Sequence, residues 1–473
     1  MRRDLGDFQT PPPLVAEVLR TLDVLGITYS RVLEPTCGEG RFLAALLARA
    51  EPPGEVWGIE TQAEHLTLAE SSMASLANGK TTIHLRQADF FASSLRNDLP
   101  WSADGPLLVL GNPPWITSAE LGKIGGDNGP VRFNVKGLKG LEARTGSANF
   151  DLSEAVWIKL VRELAHESPT IALLCKASVA RNVLAFAGRD AWPVVSASFH
   201  RIDSRKWFGA SVDAGLFRVT LGNAPPRYEV DVYPSLGASE VETRLGLVDG
   251  VVVADLDRFE GVSALFRRSK LGRQWRQGIK HDAATVLELI DDGHAWRNSL
   301  GERVEVEPDR IYPLVKAADL ARADGDAPRR GLIVPQVRLS EDLAGRKDRS
   351  PKLMAYLEKH ADRFAKRKSS IYRGRPPFSI FGVGPYSFEP EKVAVSGMRL
   401  PPRFRAVEPV DGRPVVFDDT TYFLPCETSE DAAKLAESLN GPGAQDLIRA
   451  LSFPGSKRPI TKALLQRINL DGL

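Results

Sequence analysis

Four consecutive apolar residues, Leu107 to Leu110, run into Gly111 and then into Asn112-Pro113-Pro114-Trp115-Ile116. An apolar run of this kind reads as a strand buried on both faces, as in the parallel sheets of α/β proteins. The Asn-Pro-Pro-Trp turn then lies just past the carboxyl end of a strand, where a doubly wound sheet places its chemistry. Two successive prolines fix φ and remove two backbone donors. The turn therefore presents mainly acceptors, the Asn112 side-chain oxygen and the Pro113 carbonyl. Such a pair beside the face of Trp115 suits a flat ring that carries an NH2 group. The same tetrapeptide also serves as an ordinary strand-ending turn, so the surrounding chain has to decide between the two.

Upstream, Phe8-Gln9-Thr10-Pro11-Pro12-Pro13 predicts a helix through Leu14, Val18, Leu19 and Leu22, with Thr10 as N-cap and proline in its first turn. Arg31-Val32-Leu33 is a short strand, followed by Glu34-Pro35-Thr36-Cys37-Gly38-Glu39-Gly40 and a helix over 44–50. Strand, glycine turn and helix in that order cradle nucleotides, because glycines let the backbone approach the ligand. One Gly-x-Gly is weak support alone. Val56-Trp57-Gly58-Ile59-Glu60 strengthens it with a second strand whose carboxylate lies twenty residues past Gly40, the usual distance for an acid that binds ribose hydroxyls. A third strand over 82–85 leads to Asp89-Phe90-Phe91, a carboxylate and rings suited to an adenine's amino group and face. Leu43 occupies the place of the third glycine of the dinucleotide fingerprint. With no second nucleotide half, a nicotinamide cofactor is disfavoured.

About thirty residues rich in Gly, Asn, Lys and Arg follow the turn, Lys136 and Lys139 among them. A loop of this length is usually functional or disordered, and its position favours a lid or a phosphate-contacting loop over a passive linker. A helix over 151–165, a strand over 170–174, a helix through 179–186 and strands near 194–199 and 216–221 complete a sheet of about seven strands. Asn223-Ala224-Pro225-Pro226-Arg227 reads as a boundary. The expected division is an α/β domain over 1–224, a connector with appended strands over 225–257, and a mixed α+β domain over 258–473.

The net charge of +2 conceals a strong polarity. Residues 346–405 hold fifteen Lys/Arg against five Asp/Glu, and residues 258–281 hold seven against one, which leaves −14 for the remainder. Aromatics and glycines are interleaved with this charge, the expected footprint of a polyanion site rather than a plain solvated face. Three scattered cysteines, Cys37, Cys175 and Cys426, form no metal spacing and fit a reducing, cytoplasmic setting. No apolar run approaches membrane-spanning length and no secretory h-region follows Met1.

Taken together, these segments resemble the gamma class of DNA adenine-N6 methyltransferases, the TaqI-like modification enzymes. That pattern comprises a Thr-Pro-Pro segment, a Glu-Pro-x-x-x-x-Gly-x-Phe loop, a ribose-binding acid, an Asp-Phe pair and Asn-Pro-Pro-aromatic, here in order over roughly residues 8–222. The resemblance implies a Rossmann-like class I S-adenosylmethionine-dependent methyltransferase domain followed by a DNA target-recognition domain. It implies that Thr10 and the loop through Glu34, Pro35, Gly38 and Gly40 hold the methionine end of S-adenosylmethionine. Glu60 would hold the ribose, and Asp89 with Phe90 the adenine. Asn112, Pro113, Pro114 and Trp115 would hold the target base, with Asn112 also bordering the cofactor and Phe208 packing on the base's other face. Trp115 stands where tyrosine is commoner, and any aromatic face can stack.

Segments around Lys280 and His281, Lys316, and Lys368, Ser369, Tyr372 and Arg373 resemble parts of specificity domains. With Lys136 and Lys139 they are the expected contacts to double-stranded DNA. No Glu-x-Lys occurs for a metal-dependent nuclease core, so any cutting is expected from a separately encoded endonuclease or defence-system subunit in the same prokaryotic cytosol.

The chemistry is consistent with these residues. An exocyclic amine is a poor nucleophile because its lone pair is delocalised, and two acceptors aimed at its hydrogens favour a pyramidal nitrogen as charge develops. The sulfonium methyl is already electrophilic, so alignment is the main requirement, and neither a strong general base nor a metal is expected. A base inside a duplex must be extruded and stacked, here between Trp115 and Phe208. The rivals are another NH2 (cytosine N4, which more often pairs with serine at the Asn112 position, an RNA base or a protein glutamine) and a catalytically silent DNA-binding subunit. The large basic C-terminal half argues against the RNA and protein substrates, and the intact turn and cofactor loop argue against the silent subunit.

Overall fold

In the computed structural model, which describes residues 9–76, 79–116, 151–267, 272–320, 329–338, 341, 349–453 and 455–472, the apolar run is a fully buried strand in a ten-stranded sheet. The chain divides into two units, Met1–Asp257 and Arg258–Leu473.

The sheet of the first unit contains β1 (Arg31–Glu34), β2 (Glu55–Glu60), β3 (Thr82–Gln87), β4 (Leu107–Gly111), β5 (Thr170–Lys176), β6 (Val194–Ile202), β7 (Ala214–Leu221), β8 (Glu229–Tyr233), β9 (Thr243–Val248) and β10 (Val251–Val253). Their spatial order is β10-β9-β8-β6-β7-β5-β4-β1-β2-β3. Strands β3-β2-β1-β4-β5 are parallel, with Val109 facing Leu33 on one side and Ile171 on the other. Strand β7 runs antiparallel between β5 and β6.

Successive side chains of a strand point to opposite faces, and the core divides accordingly. Val32, Leu108 and Leu110 pack with Leu14, Leu22, Phe42 and Met73 from α1 (Pro12–Val24), α2 (Arg41–Leu47) and α3 (Ala63–Ala74). Leu33, Val109 and Ile171 pack with Trp157, Leu160 and Val183 from α4 (Leu152–Leu164) and α5 (Ala177–Arg189). A short helix, α6 (Ser204–Phe208), precedes β7. Among the described residues no helix is long and apolar enough to cross a membrane.

Two expectations are corrected. The first helix is entered through Pro11 in an extended conformation with no side-chain cap, not through Thr10. With Pro12 at the first helical position, one orphan amide is absent and the fixed φ already suits the helix. Thr10 is buried instead. The expected break at 223–227 does not separate domains: the seven strands expected before it are β1–β7, and the appended strands β8–β10 continue the same sheet. Pro225 and Pro226 lie in the connection after β7, but Val230 and Val232 are buried and β8 pairs parallel to β6, so the break is a crossover within one sheet.

The second unit has an antiparallel sheet of β11 (Arg276–Gln277), β16 (Glu391–Ser396), β17 (Arg405–Val407) and β19 (Thr421–Cys426), in the order β11-β19-β16-β17. A mixed sheet, in the order β13-β12-β15-β14-β18, has β12 (Glu288–Asp291), β13 (Trp296–Asn298), β14 (Ile311–Val315), β15 (Arg330–Ile333) and β18 (Val416–Phe417). Helices α7 (Pro351–Lys359) and α8 (Ala361–Ala365) pack on the second sheet through Leu353, Leu357 and Phe364.

Candidate functional site

Strand order reverses between β1 and β4, the position at which open α/β sheets bind ligands beyond their carboxyl ends. Glu34 ends β1 and Asn112 follows β4. A cavity of about 380 Å³ lies there, within the size range of small-molecule sites. The turn after β4 contributes alternate residues: Asn112, Pro114 and Ile116 line the cavity, while Pro113 and Trp115 are absent from its wall.

The wall carries acids and unfilled polar atoms. Glu34 is buried, and burial together with the Glu60 carboxylate pushes its pKa well above the usual range. Its Oε2, and the Oγ1 of Thr36 on the same wall, have no hydrogen-bond partner among the described residues. Glu60 accepts from Gly38 N–H at 2.9 Å through Oε2, and from the Thr61 and Gln62 amides at 2.9 Å through Oε1. Gly38 has φ +52° and its amide faces this carboxylate, a geometry that favours glycine.

Gly40 has a different part from the one expected. It is absent from the cavity wall and has φ +69°, and a Cβ there would stand 2.4 Å from Met73 Cε, so its job is to let α2 pack closely on α3. Phe90 lines the cavity and Asp89 does not: that carboxylate is exposed and accepts from the Phe91 amide at 2.8 Å. Thr10 and Pro35 are on the wall.

Sequence reasoning missed Gln9, Arg41 and Leu152, which also line the cavity. Arg41 donates to the Thr10 carbonyl at 3.0 Å and to Glu39 at 2.7 Å, and Gln9 Oε1 accepts from Glu39 N–H at 3.2 Å. The N-terminal segment is thus strapped onto the glycine loop. Arg41 could have been noticed as the charged residue between Gly40 and the buried Phe42; Leu152 carries no local signal.

The Asn-Pro-Pro-Trp turn is pinned from behind. The Pro114 carbonyl accepts from Ser153 Oγ at 2.9 Å, that of Trp115 from Lys176 Nζ at 2.7 Å, and that of Ile116 from Leu152 N–H at 2.9 Å. Trp115 Nε1 donates to the Leu174 carbonyl at 3.2 Å. The Pro113 carbonyl accepts no hydrogen bond among the described residues. Trp115 is buried against the α1–α3 side of the sheet and meets Phe208 edge-on, with ring centroids 5.1 Å apart and planes at 69°. A base stacked between them needs about 3.5 Å on each side. The two expected walls are brought together, but they must part to admit one.

In the second unit, Lys280 pairs with Phe381 through two backbone bonds of 2.9 and 2.8 Å. Arg367 donates to the carbonyls of His281 and Ser379 and lies 3.8 Å from the Tyr372 ring centroid. Lys368, Ser369, Tyr372 and Arg373 border a cavity of about 600 Å³. His281 is buried and faces inward, 3.5 Å from Glu288, whose other oxygen pairs with Lys316. Burial opposes ionisation of Glu288, but the bonds from His281 and Lys316 outweigh it and hold its pKa below the usual value. Lys136 and Lys139 lie outside the described residues.

Over 475 residues the chain is 35% identical to the type II methyltransferase M.NspV of Nostoc sp. (strain ATCC 29411 / PCC 7524), covering 99% of this chain and 97% of that one. The chain belongs to the type II methyltransferases. Its fold is also that of the type IIL restriction-modification enzyme MmeI, solved in complex with DNA, at a TM-score of 0.60 and 14% identity over 98% of this chain and 68% of that one. No family model matches. The sheet of this type II methyltransferase is the Rossmann-like one of class I S-adenosylmethionine-dependent enzymes, followed by further antiparallel and mixed sheets.

The residues present fit that methyl donor. A ligand with an ammonium and a sulfonium suits a buried carboxylate with an unfilled oxygen, Glu34, and a second carboxylate nearby, Glu60. Phe90 and Ile59 supply apolar wall on the same cavity. Among the described residues no group of three or more His, Cys, Asp or Glu could hold a metal ion.

Proposed function

We propose that this type II methyltransferase transfers a methyl group from S-adenosylmethionine to the N6 amine of an adenine extruded from duplex DNA. The observation that carries the reading is the Pro113 carbonyl beside Asn112, which accepts no hydrogen bond among the described residues, in a turn whose next three carbonyls are all engaged. The Pro113 carbonyl of this pinned turn and the Asn112 side-chain oxygen make two acceptors for the two hydrogens of one amine. Asparagine at 112 favours adenine over cytosine as the source of that amine.

S-adenosylmethionine supplies an activated methyl group. Glu34 and Glu60 hold its positive and hydroxyl groups, Phe90 packs on its adenine, and Asn112 and Pro114 border it on the side of the target. The Asn112 side chain and the Pro113 carbonyl accept hydrogen bonds from the target amine. They strengthen as the nitrogen becomes positive, which lowers the barrier rather than merely binding the base. Trp115 and Phe208 take the extruded ring once they separate. In the second unit, Lys368, Ser369, Tyr372 and Arg373 form the surface for the DNA, with Lys280 beside them. The enzyme modifies DNA in the prokaryotic cytosol, and any cutting belongs to a separately encoded endonuclease or defence subunit.

The test is methyl transfer from labelled S-adenosylmethionine to unmethylated genomic DNA, with single-molecule sequencing of the product. N6-methyladenine at one short motif is the expected result. N4-methylcytosine, or no label in DNA while the cofactor still binds, overturns it. Asn112→Ala is expected to lose transfer while retaining DNA binding.

A further inference from the structure

The pinning of the turn depends on a charged network made by residues other than the proposed acceptors. Lys176, the last residue of β5, is the donor to the Trp115 carbonyl. Its ammonium also meets Asp151 Oδ2 at 2.7 Å, and Asp151 Oδ1 accepts from Ser153 N–H at 3.1 Å at the start of α4. Ser153 in turn holds the Pro114 carbonyl. One ion pair and one hydroxyl therefore join the end of β5, the start of α4 and two carbonyls of the turn. The Asp151 side chain is only 8% exposed and that of Lys176 21%. An uncharged residue at 176 would leave a buried carboxylate without its cation and a buried carbonyl without its donor.

We infer that Lys176 is a positioning residue for methyl transfer: its ammonium, neutralised by Asp151, fixes the Trp115 carbonyl and so holds Asn112 and the Pro113 carbonyl in register with the target amine. A backbone shift of a fraction of an ångström at Trp115 propagates through two rigid prolines to the acceptors, because their φ angles cannot absorb it. Displacements of this order near reacting atoms cost rate steeply. The pairing also has an electrostatic logic. Positive charge grows on the amine nitrogen in the transition state, and an uncompensated ammonium bonded to the same turn would oppose it. Asp151 cancels that charge and leaves a rigid, net-neutral support.

The inference rests on the reading of the turn as an amine acceptor, and the experiment separates the two. Single-turnover transfer to unmethylated genomic DNA and equilibrium binding of S-adenosylmethionine are measured for the full chain, for Lys176→Met and Lys176→Arg, and for Asn112→Ala as reference. Lys176→Met is expected to lower the transfer rate about a hundredfold, the scale for misplaced reacting groups, with cofactor affinity within about threefold of wild type. Lys176→Arg, which keeps both the charge and the donors, is expected to recover most of the rate. A Lys176→Met rate equal to wild type, with Asn112→Ala inactive, overturns the inference alone. Full activity of Asn112→Ala overturns the acceptor reading, and the inference with it. If Lys176→Met fails to fold, Asp151→Asn/Lys176→Met removes the stranded carboxylate. A folded double variant that transfers at the wild-type rate overturns the inference, and one that binds the cofactor but transfers slowly supports it.

Discussion

Glu34 shows how much a single buried side chain states about its ligand. Burial and the neighbouring Glu60 favour its protonated form. A cationic ligand reverses that preference, so binding S-adenosylmethionine should release a proton. Affinity should then rise with pH by up to about tenfold per unit until the ligand-free group ionises. Calorimetry in buffers of different ionisation enthalpy is expected to detect the release in wild type and not in Glu34→Gln; absence of release in wild type counts against Glu34 as the cation's partner. His200 makes the opposite kind of statement, about stability. It is buried in β6, stacked on Tyr233 at 4.4 Å, and burial with the Arg218 charge lowers its pKa to about 4. Between the ordinary histidine range and pH 4 the unfolded chain takes up a proton that the folded chain refuses. Folding stability should therefore fall through that window as pH drops, by up to about 3 kcal/mol. Urea titrations at pH 7 and pH 4.5 are expected to show a smaller loss for His200→Gln than for wild type.

Among elements, the strands and helices around the site were legible because their residues obey simple periods. The apolar run at 107–110, the carboxylate-ended strand at 56–60 and the helix that is α4 all read directly. What the sequence hid was long-range. The strap formed by Arg41 on Thr10, and the return of Leu152 and Ser153 behind the turn, join positions far apart in the chain that no local pattern marks. Gly40 was legible as a special residue but not in its reason, which lies in the side chain of Met73. Gly40→Ala is therefore expected to cost about 2 kcal/mol from left-handed strain plus overpacking. Met73→Ala in the same chain should relieve only the packing part, as thermal denaturation would show. Arg41→Ala should loosen the strap and raise the Kd for S-adenosylmethionine about tenfold, the worth of one charge-assisted hydrogen bond. An unchanged Kd would leave the strap without a role in binding.

For the whole molecule, the asymmetry of charge was readable by counting, and its C-terminal location coincides with the Arg258–Leu473 unit. Which of its cations are committed internally was not readable, because Lys316 and Arg367 differ from Lys368 and Arg373 only in their folded neighbours. DNA affinity is expected to fall with salt, with a log–log slope of several units at about 0.9 per neutralised phosphate. Replacing Lys368 and Arg373 together by glutamine should reduce that slope by about two, while Lys316→Gln should affect folding of the unit more than the slope. A slope indifferent to Lys368 and Arg373 would move the DNA surface elsewhere.

Among the described residues, the contacts that hold the Asn-Pro-Pro-Trp turn (the Ser153 hydroxyl, the Lys176 ammonium, the Leu152 amide and the Leu174 carbonyl) all come from positions before Arg258. The described support of the proposed reaction centre is thus one contiguous block of sequence. Substitutions accumulating after that point leave these contacts untouched, so the two parts of the chain are free to diverge at different rates. Under the proposed reading, a change of sequence preference in the second unit would leave the methyl-transfer geometry standing.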